Sequence, residues 1–258
     1  MKDCKASVAP IIKGDKFHKG QSRENALEQD QMKSVPYASA VGSLMYAQIC
    51  TRPDICLAVG LLGRYQSNPG LQHWIATKKV MRYLQGTKNY MLTYRHTENL
   101  QVVGYSDSDF VGCVDTRKSI SGYIFLLAEG AISWKSTKQS IVATSTMEAQ
   151  FIACYEATTQ AIWLKNFISG FKIVDSIQKP IKIICDNTAA VLFSKNNKRG
   201  SRSKHIDINY LSVRESIKYN VVYIEHTSTD LMLADLMTKG LSVKQFQGHV
   251  DHIGLTKV

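Results

Sequence analysis

No stretch of this 258-residue chain approaches the roughly 20 consecutive apolar residues that a membrane-crossing helix needs. The first residues, Met1-Lys2-Asp3-Cys4-Lys5, contain no apolar core, so a secretory leader is not expected and an intracellular protein of the cytoplasm or nucleus is. Paired cysteines are missing as well. The six that occur (Cys4, Cys50, Cys56, Cys113, Cys154 and Cys185) are scattered with no Cys-x-x-Cys, which argues against a zinc site and against a disulfide framework. They are expected to be small buried hydrophobes for the most part. Acid is in short supply: 21 Asp and Glu stand against 32 Lys and Arg, a formal charge of +11. The imbalance is uneven, +8 over residues 1–97 (14 basic, 6 acidic) and +3 over residues 98–258 (18 basic, 15 acidic). Such a surface suits a polyanion.

What is present is a globular composition, 44% hydrophobic and 21% charged, enough for one sizeable core. Residues 1–36 are polar and aperiodic and read as a tail or linker. From residue 37 the pattern is helical. Tyr37, Val41, Leu44, Met45 and Gln48 share a face, Thr51-Arg52-Pro53-Asp54 starts a second helix, and a third carries Leu71, Trp74, Ile75, Met81 and Leu84 up to Gly86. A leading strand at 90–95 is followed by strands at 101–106, 121–128 and 131–135 and a long helix over 146–169. A strand at 181–185, a helix at 187–195, a basic loop at 195–205, a helix at 207–219, a strand at 221–225 and a last helix at 229–239 complete the chain. This is a mixed α/β layout, a five-stranded sheet flanked by helices and preceded by a small helical unit. The expected divisions are 1–36, a helical unit over 37–97, an α/β domain over 98–243 and a C-terminal tail over 244–258.

Three acids stand where chemistry collects. Asp107 ends the run Val102-Val103-Gly104-Tyr105-Ser106, Asp186 follows Ile181-Lys182-Ile183-Ile184-Cys185, and Asp235 lies on Asp230-Leu231-Met232-Leu233-Ala234-Asp235. Each alone reads as a turn former or cap. Together, at the carboxyl ends of neighbouring strands and on a helix that reaches the same edge, they could hold Mg²⁺ or Mn²⁺. A fourth carboxylate is expected near the start of the long helix, where Glu148 and Gln150 flank the apolar stripe of Phe151, Cys154, Tyr155 and Ile162. The two differ by about 200° around the helix, so one cannot replace the other, and the wheel alone does not choose between them. Lys195-Asn196-Asn197-Lys198-Arg199-Gly200-Ser201-Arg202-Ser203-Lys204-His205 contains no acid, and Lys198, Arg199, Arg202, Lys204 and His205 suit phosphate contacts. Asp109 reads as a turn acid and His226 as an auxiliary proton-transfer group or a plain strand-end histidine. The three tryptophans, Trp74, Trp134 and Trp163, read as packing residues.

Tyr105-Ser106-Asp107-Ser108-Asp109, Ser145-Thr146-Met147-Glu148-Ala149, Ile184-Cys185-Asp186-Asn187, Ser203-Lys204-His205-Ile206-Asp207-Ile208 and Leu233-Ala234-Asp235-Leu236-Met237-Thr238-Lys239 resemble, in order, the ribonuclease H domain of copia-class LTR retrotransposons. Upstream, Tyr37-Ala38-Ser39-Ala40-Val41-Gly42-Ser43-Leu44-Met45-Tyr46, Thr51-Arg52-Pro53-Asp54 and Arg82-Tyr83-Leu84-Gln85-Gly86-Thr87 resemble the end of the family's reverse transcriptase. The resemblance implies a ribonuclease H-like fold, metal ligation by Asp107, Asp186 and Asp235, and cleavage of the RNA strand of an RNA–DNA hybrid. It also implies a reverse transcriptase or other proteins of the element as partners, and none in a membrane. The family's fourth acid directly precedes three residues ending in Ala; Gln150-Phe151-Ile152-Ala153 fits that frame, which makes Gln150 the altered ligand position and Glu148 the fallback. A neutral amide there implies impaired cleavage. No Tyr-x-Asp-Asp occurs, so template copying is not expected of this stretch. The alternative is a catalytically inactive interaction protein, an element relic used for another purpose.

Overall fold

The computed structural model describes residues 4–97, 100–172, 175–195 and 204–257. Its centre is a five-stranded sheet in the order β4-β3-β2-β5-β6. These strands are β2 (Val103–Asp109), β3 (Ile120–Leu127), β4 (Gly130–Lys138), β5 (Ile181–Cys185) and β6 (Val222–His226). The first three form an antiparallel meander, and β5 and β6 join it in parallel. This is the ribonuclease H-like mixed sheet that the motifs imply.

Period-2 alternation sends neighbouring side chains to opposite faces, and both faces are covered. Phe125, Ile183 and Ile224 pack beneath α5 (Thr146–Phe171), α6 (Thr188–Lys195) and α7 (Lys204–Lys218), with Phe151 and Ala157 of α5 above them. Ile120 and Ile124 face the other way. They meet the helical stretch α2 (Tyr37–Cys50), α3 (Cys56–Leu62) and α4 (Leu71–Gly86), together with α8 (Asp235–Thr238) and α9 (Val243–His252). The upstream motifs now have a physical basis. Arg52 forks onto Asp54 (Nε to Oδ1 3.0 Å), Tyr83 donates to the same carboxylate (2.6 Å), and Arg52 also donates to Thr87 (2.7 Å). All four are buried, so a closed polar network ties the turn that leads into α3 to the end of α4.

Several expectations are corrected. Of the expected tail over 1–36, the described residues 4–36 are not loose: Ala9 and Ile11 are buried in the helical-side core, the Lys13 amide donates to Leu241 (3.0 Å), and Ala26–Lys33 forms a helix, α1. Two small apolar anchors and backbone hydrogen bonds suffice where composition looks polar. Residues 244–257 are likewise ordered. Phe246, Val250 and Ile253 lie on one buried face of α9 and its end, and β7 (Leu255–Lys257) pairs antiparallel with β1 (Tyr90–Leu92). The leading strand at 90–95 therefore joins that separate ribbon, not the main sheet. The last helix over 229–239 is a 3-10 turn, Thr229–Leu231, and the single turn α8. Trp163 does not pack inside: 53% of it is exposed, stacked on Phe167. Four cysteines are buried, but Cys4 and Cys50 are exposed. No helix among the described residues is long and apolar enough to cross a membrane.

Candidate functional site

β2 and β5 run parallel with Tyr105 opposite Ile184, so two residues on along each strand Asp107 and Asp186 emerge side by side at the sheet's carboxyl edge. Across β2, Asp107 is opposite Gly122 of β3. A side chain at Gly122 would collide with α8, its Cβ falling 2.5 Å from that of Met237, so glycine is what lets α8 lie directly on the sheet. That approach delivers Asp235, and the carboxylates of Asp107, Asp186 and Asp235 each offer an oxygen within 4.8 Å of the others. Asp107 and Asp235 are buried and Asp186 is half-buried.

The long helix supplies the fourth member. Ser145 caps α5 by accepting from the Glu148 amide (3.2 Å), and Glu148 reaches back to accept from the Thr144 amide (2.8 Å). Glu148 is thus turned to the cap, where it also takes the Thr144 hydroxyl. Gln150, 4% exposed, points at the acids. Its Nε2 donates to Asp107 (2.7 Å) and lies 3.4 Å from Asp186 and 3.5 Å from the Ser108 carbonyl. Its Oε1 is buried with no hydrogen-bond partner.

Two residues that sequence reasoning missed complete the cluster. The Thr238 hydroxyl donates to Asp107, and the Lys239 ammonium sits 2.9 Å from Asp235 and 3.5 Å from Asp107. The available signal was Lys239 four residues after Asp235, one helical turn on. These contacts divide the acids. Burial pushes the Asp107 carboxyl up, but Lys239, Thr238 and Gln150 together hold it below the usual carboxylate value. Asp235 is pushed up to about 8 by burial and by the charge of Asp107, against the pull of Lys239. Asp186 and Asp109 are raised for the same two reasons, burial first. Burial lowers Lys239, yet its aspartates outweigh this and raise it to about 12. Asp109, half-buried on the same strand, is outside the trio. His226 ends β6 with Nε2 3.1 Å from the Asp186 carbonyl, on the exposed side of the cluster.

Three carboxylates with oxygens this close form an oxygen donor set that fits a divalent cation, and the buried, unpartnered Oε1 of Gln150 would join it on rotation of the amide. Of the basic loop, Lys198, Arg199 and Arg202 lie outside the described residues; α7 begins at Lys204, and the side chains of Lys204 and His205 also lie outside them.

No protein-family model matches the chain. It is 39% identical over 255 residues to the Retrovirus-related Pol polyprotein from transposon TNT 1-94 of Nicotiana tabacum, covering 99% of this chain and 19% of that polyprotein. The Secreted RxLR effector protein 161 of Plasmopara viticola is 49% identical over 133 residues, 52% of this chain and 94% of that protein. Among solved structures, LC11-RNase H1 in complex with RNA/DNA hybrid aligns at 15% identity over 54% of this chain and 94% of that one with a TM-score of 0.40, and the foamy viral protease-reverse transcriptase dRH in complex with ds DNA is similar in fold. The latter has 12% identity, covers 80% of this chain and 35% of that one, and gives a TM-score of 0.50. The chain thus spans about a fifth of the tobacco polyprotein.

Proposed function

The chain belongs to the retrovirus-related Pol polyproteins of transposons, as their ribonuclease H-like part, and from that membership we propose that it binds RNA–DNA hybrid and cleaves the RNA strand weakly, with Mg²⁺ or Mn²⁺. One observation carries the reading: Asp107, Asp186 and Asp235 converge within 4.8 Å at a sheet edge. Such a trio would hold the cation, and the amide of Gln150 takes the place of a fourth acid. A divalent ion, when bound, supplies Lewis-acid stabilisation of the charge that develops on a phosphodiester. Asp107, kept ionised by its donors, would be the anchoring ligand. Asp186, the most exposed of the trio, lies on the side open to a duplex, and His226 stands next to it to hold or pass a proton. Gln150 brings shape without charge, which weakens both metal binding and cleavage.

A second reading has its own support. The effector protein of Plasmopara viticola matches this chain over 94% of its own length, so this stretch of sequence also occurs under another name, and Gln150 suits a chain that keeps the fold without the chemistry. In that reading the chain is an interaction protein.

Hybrid cleavage measured with both metals separates the two. The native chain should cut poorly, Gln150→Glu should raise the rate at least about tenfold, roughly 1.4 kcal/mol of barrier, and Glu148→Ala should leave it unchanged. A robust native activity destroyed by Glu148→Ala and indifferent to Gln150→Glu would show the fourth ligand to be Glu148. Hybrid ignored by native and Gln150→Glu proteins alike would favour the interaction protein.

A further inference from the structure

We propose that the Lys239 ammonium is a built-in counter-ion that fills the acid cluster in the metal-free chain, so that a divalent cation binds only by displacing it. The inference rests on the reading of the three aspartates as metal ligands and adds a competitor for their oxygens.

The geometry makes the two cations mutually exclusive. Lys239 Nζ lies 2.9 Å from an oxygen of Asp235 and 3.5 Å from one of Asp107, two of the three carboxylates a metal would bridge. A divalent ion bonds carboxylate oxygens at about 2.0–2.6 Å, closer than the ammonium does. An ammonium and a divalent ion on the same two carboxylates repel each other, so the two cations compete for Asp235 and Asp107. On the opposite side the amide of Gln150 behaves in the same way. It turns its donor, not its carbonyl, towards Asp107 and Asp186, and leaves Oε1 buried without a partner. Each of the three carboxylates therefore meets a donor supplied by the chain. With all three carboxylates ionised, one ammonium leaves −2, where a glutamate at 150 would leave −3.

The lysine is also free to leave. Its backbone follows α8, whose Leu236 and Met237 are fully packed, so the anchor stays fixed while four methylenes swing. The side chain is one-third exposed (33%), which gives the ammonium a short route to water. Metal entry then requires two local moves, withdrawal of Lys239 and rotation of the Gln150 amide to present Oε1, with no change in the sheet.

Mn²⁺ titration of the full chain, followed by calorimetry and by the thermal midpoint, tests this. Native protein should bind weakly and gain little in midpoint, and Lys239→Arg should behave alike. Lys239→Met should bind Mn²⁺ at least tenfold more tightly and be stabilised steeply by it, since only the folded state binds. Should Lys239→Met unfold without metal, recovery of the folded state on adding Mn²⁺ supports the proposal; failure to fold at any Mn²⁺ concentration overturns it and makes Lys239 a structural residue. Equal or weaker Mn²⁺ binding by folded Lys239→Met overturns it while leaving the metal site intact. If neither folded protein binds Mn²⁺ at millimolar concentration, the aspartates are not metal ligands and the proposal falls with its premise.

Discussion

Asp107 and Asp235 are chemically identical, have carboxylate oxygens within 4.8 Å of each other, and titrate in opposite directions. The difference lies in their donors. Asp107 has three, from Gln150, Thr238 and Lys239, whereas Asp235 has Lys239 and the repulsion of Asp107. A carboxyl whose folded pKa stands near 8, above its unfolded value near 3.9, prefers the folded state when protonated. Its contribution is complete below about pH 4 and is lost as pH rises through 8. In metal-free protein Asp235→Asn should therefore be more stable than native at pH 8, with the advantage shrinking towards pH 4, measured by urea unfolding across that range. An advantage that does not depend on pH would mean that Asp235 is not raised. The sequence made the three acids legible because each follows an apolar run, and the motif frame pointed to Gln150. Thr238 and Lys239 were missed although Lys239 stands one turn after Asp235, because residue type near a helix end does not say that the side chain will turn inward, and the close approach over Gly122 is what brings it there.

At the scale of elements, periodicity was a good guide wherever one face is buried. The strands β2 to β6 and the long α5 follow their patterns closely, because alternation and the 3.6-residue stripe are imposed by two cores on either side of one sheet. The stretch 229–239 misled because all its apolar residues except Leu231 (Met232, Leu233, Ala234, Leu236 and Met237) are buried, which hides the break between the 3-10 turn and α8. The basic segment 195–205 carries a prediction of its own. Neutralising Lys198, Arg199, Arg202 and Lys204 should weaken hybrid binding and flatten the plot of log affinity against log salt by about 0.9 for each phosphate that the segment no longer neutralises. Since released counterions do not depend on base sequence, the weakening should be similar for hybrids of different sequence. Unchanged affinity and slope would remove these residues from the binding surface.

Across the whole molecule, the segment that composition dismissed as a tail bears on the site. Residues 9–13 run beside the chain that leaves α8: Ala9 and Ile11 enter the core, the Lys13 amide bonds Leu241, and Asp15 accepts from Lys79 (2.6 Å). The approach is tight enough that a Cβ at Gly240 would come 2.5 Å from the Ile12 carbonyl oxygen. Gly240 directly follows Lys239, so this strap fixes the exit of the turn that carries Asp235 and Lys239. Deleting residues 1–16 removes the burial of Ile11, about 1.5–3 kcal/mol, and frees that exit. Gly240→Ala pushes the strap away without shortening the chain. Both changes should lower stability in urea, and both should also weaken Mn²⁺ binding although no acid has been touched, because a ligand set loses affinity when its supporting neighbours loosen. The comparison decides between two roles for the strap. Loss of stability with full Mn²⁺ affinity would reduce it to packing, whereas loss of both in the two variants would make the N-terminal segment part of what holds the metal centre in shape.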